Sequence, residues 1–241
     1  FVDLAGVLDD TPATDDRNAL VSAVGLTLAA MRTQPASCTS AHLAFGFFDT
    51  HADHDDEETG HRARMQGLLE GLGHLIDEVE NDPANAALKA RGVLVYVSSD
   101  FGRTAYNGGE EDGARGKDHW PVTSAILVGL GSMKAEVGGG TVVGKTTPRL
   151  NGRLQPGLRA YPVSIDDNGN LQTAASPTDR DGTFALTATE VNLALRAALR
   201  LDEEQAPPGA PKLVDRFRLP EANATLAAVL AQGRNPLLKD V

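Results

Sequence analysis

RGVLVYVSSDFGRT, residues 91–104, decides how the rest of the chain is read. GVLVYVSS (92–99) is too short for a typical helix, opens on glycine and is rich in β-branched and aromatic residues, so it reads as a buried strand. An acidic residue, Asp100, stands at its end. Two further runs have the same character. AHLAFGFF (41–48) runs into Asp49, and SAILVGL (124–130) follows a charged, glycine-rich stretch at 102–118. Between the first two runs, residues 59–80 keep helical spacing, with Met65, Leu68, Leu69, Leu72, Leu75, Ile76 and Val79 on one face. Asp82-Pro83 restarts a short helix that ends near Gly92. Strand, helix, strand, loop, strand predicts an α/β domain with a largely parallel sheet.

The flanks add helices and turns. Residues 12–32 read as a helix capped by Thr14 or Asp15, with Leu20, Val21, Val24, Leu28 and Met31 on one face. DDNGN (166–170) is a hairpin signal between LRAYPVSI and LQTA. TATEVNLALRAALR (187–200) opens with Thr187 and Glu190 at capping-box spacing. APPGAP (206–211) reads as a linker and 221–232 as a last short helix. The expected organisation is therefore one α/β region over 1–205, followed by a Pro-rich linker and terminal helix over 206–241.

Bulk properties exclude several function classes. The 241 residues carry a net charge of −11, with a pI of about 4.9. Such acidity disfavours nucleic-acid binding, which needs clustered Lys and Arg, and favours cations where carboxylates converge. The single cysteine, Cys38, allows no intrachain disulfide. No apolar run reaches the roughly 20 residues that span a bilayer. The opening residues, from Phe1, are not expected to form a signal peptide. GGGTVVGKT (138–146) lacks the spacer of a phosphate-binding P-loop, and DDEE (55–58) lacks the Gly and Glu of a calcium loop.

The chemistry concentrates where strands end. FFDTHADHDD (47–56) places two histidines and four aspartates directly after an apolar run. If strand geometry persists, alternation puts Asp49 and His51 on the same side. Imidazole with carboxylate suits zinc, manganese or iron, and all-oxygen sets suit calcium or magnesium. Asp49, His51, Asp53, His54, Asp55, Asp56, Asp100, Asp118 and His119 are the candidate ligands. In open α/β sheets ligands bind beyond the carboxyl ends of the strands, which is where this reading puts Asp49/His51 and Asp100. A plainer reading stands beside it: Asp49 ends a strand, Asp56 or Thr59 caps the next helix, His61 and His74 are surface or packing residues, and His42 is a core histidine at the start of a buried strand.

Taken together, FDTH (48–51), SDFGRT (99–104) with Asn107, and KDHWP (117–121) resemble the bacterial family called domain of unknown function 1501, related to sulfatases. Order and spacing agree over about 15–150, and 187–200 is similar to the family's final helix. The resemblance implies an alkaline-phosphatase-like three-layer α/β/α sandwich. It implies a divalent metal (zinc, manganese or calcium) held by Asp49, His51, Asp100 and His119. Asp118, His54 and Asn107 would stand in the surrounding shell, and Arg103 would face an anion. It also implies export by the twin-arginine route to the periplasm or cell surface. The sequence departs from the family pattern at Trp120, where glycine is usual, at Lys117 for threonine, at His54 for glutamine, and in a longer loop at 108–116. No Ser or Thr matches the family's nucleophile position. The expectation is that this chain is the C-terminal part of a phosphate- or sulfate-ester hydrolase, completed by an N-terminal half or a second chain. The opposing reading is an exported metal-binding or scaffold protein without turnover.

Overall fold

The computed structural model describes residues 13–33, 40–46, 48, 60–99, 102–103, 119–120, 122–139, 144, 146–150, 153–173, 186–200 and 224–238. These form helices α1 (Ala13–Arg32), α2 (His61–Asn81), α3 (Ala86–Arg91), α4 (Ala188–Ala198) and α5 (Ala224–Ala231). The strands are β1 (Val93–Ser98), β2 (Gly102–Arg103), β3 (His119–Trp120), β4 (Ala125–Leu130), β5 (Thr146–Leu150), β6 (Arg153–Ala160), β7 (Val163–Ile165) and β8 (Leu171–Thr173). The chain divides into two compact units, Phe1–Tyr96 with Arg103–Trp120 and Val128–Met133, and Val97–Gly102 with Pro121–Leu127 and Lys134–Val241.

The sheet is where the structure corrects the sequence. The described strands pair as four two-stranded antiparallel sheets, β1–β4, β2–β3, β5–β6 and β7–β8, and not as one large parallel sheet of an α/β/α sandwich. Parallel neighbours need a long crossover, usually a helix. Among the described residues between β1 and β4 there is no helix; that stretch contributes only the short β2 and β3. The contacts at the ends of β1 and β4 agree with opposed directions. Gly92, before β1, approaches Ser132 and Met133, after β4, while Ser99, after β1, bonds Thr123, before β4. The expected strand over 41–48 also reduces to a single bridge at His42, with no regular strand among its described residues. Asn151-Gly152, a strong hairpin dipeptide, sits between β5 and β6, which pair antiparallel with an irregularity between Thr147 and Arg149.

In the first unit, α1 buries Leu20, Ala23, Val24 and Leu28, close to the predicted face. It starts at Ala13, so neither Thr14 nor Asp15 is its cap. α2 differs more. It buries Gly67, Gly71 and Val79, while Leu69, predicted on the core face, is 49 % exposed. The core gathers Val24, Leu28, Val79, Leu88 and Leu130, with Leu43, Leu75, Ile76, Val93, Val95 and Val128 packed against it. Each such side chain contributes about 1.5–3 kcal/mol when fully buried. Polar contacts fix the helix ends. Arg91 donates to the Met31 carbonyl at 2.8 Å, satisfying the end of α1. Arg32 donates to the buried Asn85, whose amide donates to the Glu78 carbonyl at 2.7 Å.

In the second unit, the predicted hairpin is present: β7 pairs with β8 around Asp166–Asn170. Thr187 caps α4 and the buried Glu190 reaches back to it, completing the capping box read from the sequence. Ile165, Leu226 and Val229 form the core, covered by Leu171, Leu186, Leu193, Leu230 and Leu237. Asn235 donates to the Ala194 carbonyl at 3.0 Å and ties the C-terminal turn to α4.

The hairpin turn carries a pH dependence. The Asp166 carboxylate accepts from the amides of Asn168 at 2.9 Å and Asn170 at 2.8 Å, and from the Asn170 side chain at 3.3 Å. The bond from the Asn170 amide is the main cause that lowers its pKa from 3.8, with Arg234 adding a smaller pull. A depressed carboxylate stabilises the fold above its unfolded pKa, and that contribution is lost as pH falls through the folded value. Asp166→Ala is therefore expected to lower the urea midpoint at neutral pH. The gap between variant and wild type should close as pH drops below 3.8. A gap that persists in acid would remove the carboxylate from this role.

Candidate functional site

The motif trio is best built outward from β1. Its last residue, Ser98, is followed by Ser99, whose hydroxyl lies 2.7 Å from that of Thr123. Gly102 opens β2 against Val122: a Cβ on this glycine would run into the Val122 carbonyl oxygen. Glycine is needed there because two backbones meet at a distance that no side chain fits. The glycine of SDFGR thus has a structural reason, independent of any ligand.

β2 and β3 are hydrogen-bonded neighbours, so the backbones of Arg103 and His119 lie on paired strands although the motifs that hold them are separated in sequence. The other predicted site residues, Asp49, His51, His54, Asp100, Asn107 and Asp118, lie outside the described residues, as do Asp53, Asp55 and Asp56. Among the described residues no group of three or more His, Cys, Asp or Glu side chains could hold a metal.

Phe48 is held by ring contacts on two sides. Phe48 packs on Phe45 with centroids 5.6 Å apart, and His61, the first residue of α2, meets Phe48 edge-on at 5.4 Å. Edge-to-face geometry at this spacing is the favourable arrangement for aromatic pairs. His61 is thus a packing residue. His42 is exposed, which corrects its reading as a core histidine. His74 is half-buried on α2. The residues that the sequence did not flag are Val122 and Thr123. They belong to no motif, and a contact across 24 positions leaves no periodic signal.

A family profile, described as "Protein of unknown function (DUF1501)", matches residues 6–158. The chain belongs to this family. The match includes α1 to β5, most of β6 and all three motifs of the DUF1501 trio, and it leaves α4 and α5 outside. Neither the curated proteins nor the solved structures compared with the chain gave a match. No helix among the described residues is long and apolar enough to cross a membrane.

Proposed function

We propose that this protein is the metal-binding part of a hydrolase acting on a phosphate or sulfate ester. Asp49, His51, Asp100 and His119 are the ligands in this reading, and Arg103 binds the anionic ester group. The observation that supports it most is the pairing of β2 with β3, which sets the chain at Arg103 beside the chain at His119. An anion-binding guanidinium and a metal-binding imidazole on adjacent strands suit an ester whose charge must be neutralised on two sides.

The roles follow from chemistry. The planar guanidinium of Arg103 offers parallel N–H donors matched to phosphate or sulfate oxygens, and so orients the ester. His51 and His119 act as neutral donors, and Asp49 and Asp100 balance the charge of a divalent cation. Asp118, His54 and Asn107 orient the ligands through hydrogen bonds, which holds imidazole rings in one tautomer. A cation bound there polarises the ester oxygen and stabilises the leaving group. The nucleophile comes from residues outside this sequence, in the N-terminal half of the same precursor or on a second chain. The location that goes with this reading is the periplasm or the cell surface.

The test is metal content by mass spectrometry on the purified protein, with the intact mass of every chain present, followed by release of phosphate and sulfate from aryl esters. One or two zinc or manganese ions per molecule and chelator-sensitive ester hydrolysis are expected. Bound metal with no turnover in the presence of every partner chain would favour the non-catalytic role. Absence of all three metals, zinc, manganese and calcium, would overturn the proposal.

A further inference from the structure

One face of α2 stays in solvent. Arg62, Gln66, Leu69, Gly73 and Asp77 are all exposed, and at about 100° per residue they fall on one stripe roughly 80° wide. Half-buried Met65 and Ile76 border it. Leu69 stands at its centre and is one of the large apolar side chains that the fold leaves exposed. Arg62, Met65, Gln66, Leu69 and Glu70 line an open groove of about 440 Å³. A Cβ added at Gly73 would meet nothing within 4 Å, so the surface dips there.

The stripe is symmetric in its spacing. Arg62 and Asp77 lie equally far from the midpoint between Leu69 and Glu70, and so do Gln66 and Gly73. With a rise of about 1.5 Å per residue, the two charges stand about 11 Å to either side of that midpoint. They are opposite in sign, and among the described residues neither has an ion-pair partner. The Asp77 carboxylate accepts from Asn81 at 2.6 Å, one turn further along the same helix. Turning a second α2 end for end about the midpoint sets Arg62 against Asp77, Gln66 over the dip at Gly73, and Leu69 beside Leu69. A two-fold axis makes each of these contacts twice. A parallel pair in register would instead set Arg62 against Arg62 and Asp77 against Asp77, which repels.

We infer that this face of α2 is a docking surface for a second copy of the chain, with α2 packed antiparallel on α2 about a two-fold axis near Leu69. Charge selects the direction, and the dip at Gly73 admits the longer Gln66. The inference does not depend on the metal reading. One helix pair covers less than the roughly 1,200–2,000 Å² of a stable interface, so the dimer forms and dissociates over micromolar concentrations.

The test is sedimentation equilibrium of the full chain across micromolar to millimolar concentrations. The mass of the wild type is expected to rise reversibly from 25.3 kDa toward twice that value. Leu69→Asp is expected to stay at 25.3 kDa throughout. Arg62→Asp and Asp77→Arg are each expected to weaken the dimer at least about tenfold, because each turns two attractive contacts into repulsive ones. Mixed in equal amounts, these two variants are expected to recover the wild-type dimer, since each end of the mixed pair again joins an acid and a base. The urea midpoints of all three variants, taken where the wild type is monomeric, should match wild type because the side chains are exposed. A wild type that stays monomeric throughout overturns the inference, and a lowered urea midpoint in Leu69→Asp would then point to another segment of this chain as the occupant. A dimer that Leu69→Asp leaves intact also overturns it. Single charge variants that dimerise like wild type, or a mixture no better than either alone, overturn the antiparallel pairing about Leu69.

Discussion

His119→Ala and His51→Ala are each expected to strip the protein of metal at concentrations where the wild type is saturated. The reasoning starts from ligand number. A site of two imidazoles and two carboxylates that loses one imidazole keeps three protein donors, and the lost bond is replaced by water. Removing an orienting residue around a metal site already costs about 10–100-fold in affinity, so removing a ligand is expected to cost at least about 100-fold. The loss carries into stability. A ligand that binds only the folded state stabilises it by RT ln(1 + [L]/Kd), so a 100-fold weaker site at fixed, saturating metal forfeits about 2.7 kcal/mol. Melting with and without added zinc should therefore separate the variants from wild type only when zinc is present. His42→Ala is the control, because His42 is exposed and outside the motif trio. Equal metal content in His119→Ala and wild type would remove His119 from the ligand set.

The elements that the sequence made legible are those whose signals are local. The Thr187–Glu190 box marks the start of α4 because both partners lie within one turn, and the structure has that box. DDNGN marks the β7–β8 turn because Asp166 bonds the amides two and four residues on. Val24, Leu28 and Val79 could be placed in a core by helical spacing alone. What was not legible is direction. An apolar run such as 93–97 looks the same in a parallel and in an antiparallel pair, and the reading as one parallel sheet came from counting elements. The run at 41–48 misled for a different reason. Its described rings pack on neighbouring rings, Phe45 tilted against Phe48 and Phe48 edge-on to His61, and need no ladder to be partly buried. The candidate site was legible as residue types in a fixed order. The contacts that hold its chain, Ser99 to Thr123 and Gly102 to Val122, join segments that nothing in the sequence links.

The largest effect on stability is expected at Gly131. This residue follows β4 with φ at +58°, in the left-handed region. Its amide donates to the Glu80 carboxylate at 2.7 Å, and the same carboxylate pairs with Lys89 at 3.2 Å. A Cβ at position 131 would collide with the Lys89 carbonyl oxygen and come within 2.7 Å of its carbonyl carbon. Two costs therefore add in Gly131→Ala. The left-handed backbone costs an L-residue about 1–2 kcal/mol. Overpacking adds about 1–3 kcal/mol. The sum is about 2–5 kcal/mol, a large share of the roughly 5–15 kcal/mol that holds a typical protein folded. The melting temperature is expected to fall by on the order of 10 °C. Gly131→Asn separates the two costs, since asparagine tolerates the left-handed region better than alanine but carries the same Cβ. The obstacle is backbone, which cannot swing aside as the end of a long side chain can, so the contact should dominate and asparagine should rescue little. A clear recovery in Gly131→Asn would show instead that the dihedral is the main cost, and that the Lys89 carbonyl can yield. If both variants melt with wild type, the close packing of the α3 end on the β4 end is wrong. Leu88 and Leu130 would then need another explanation for their burial in one core.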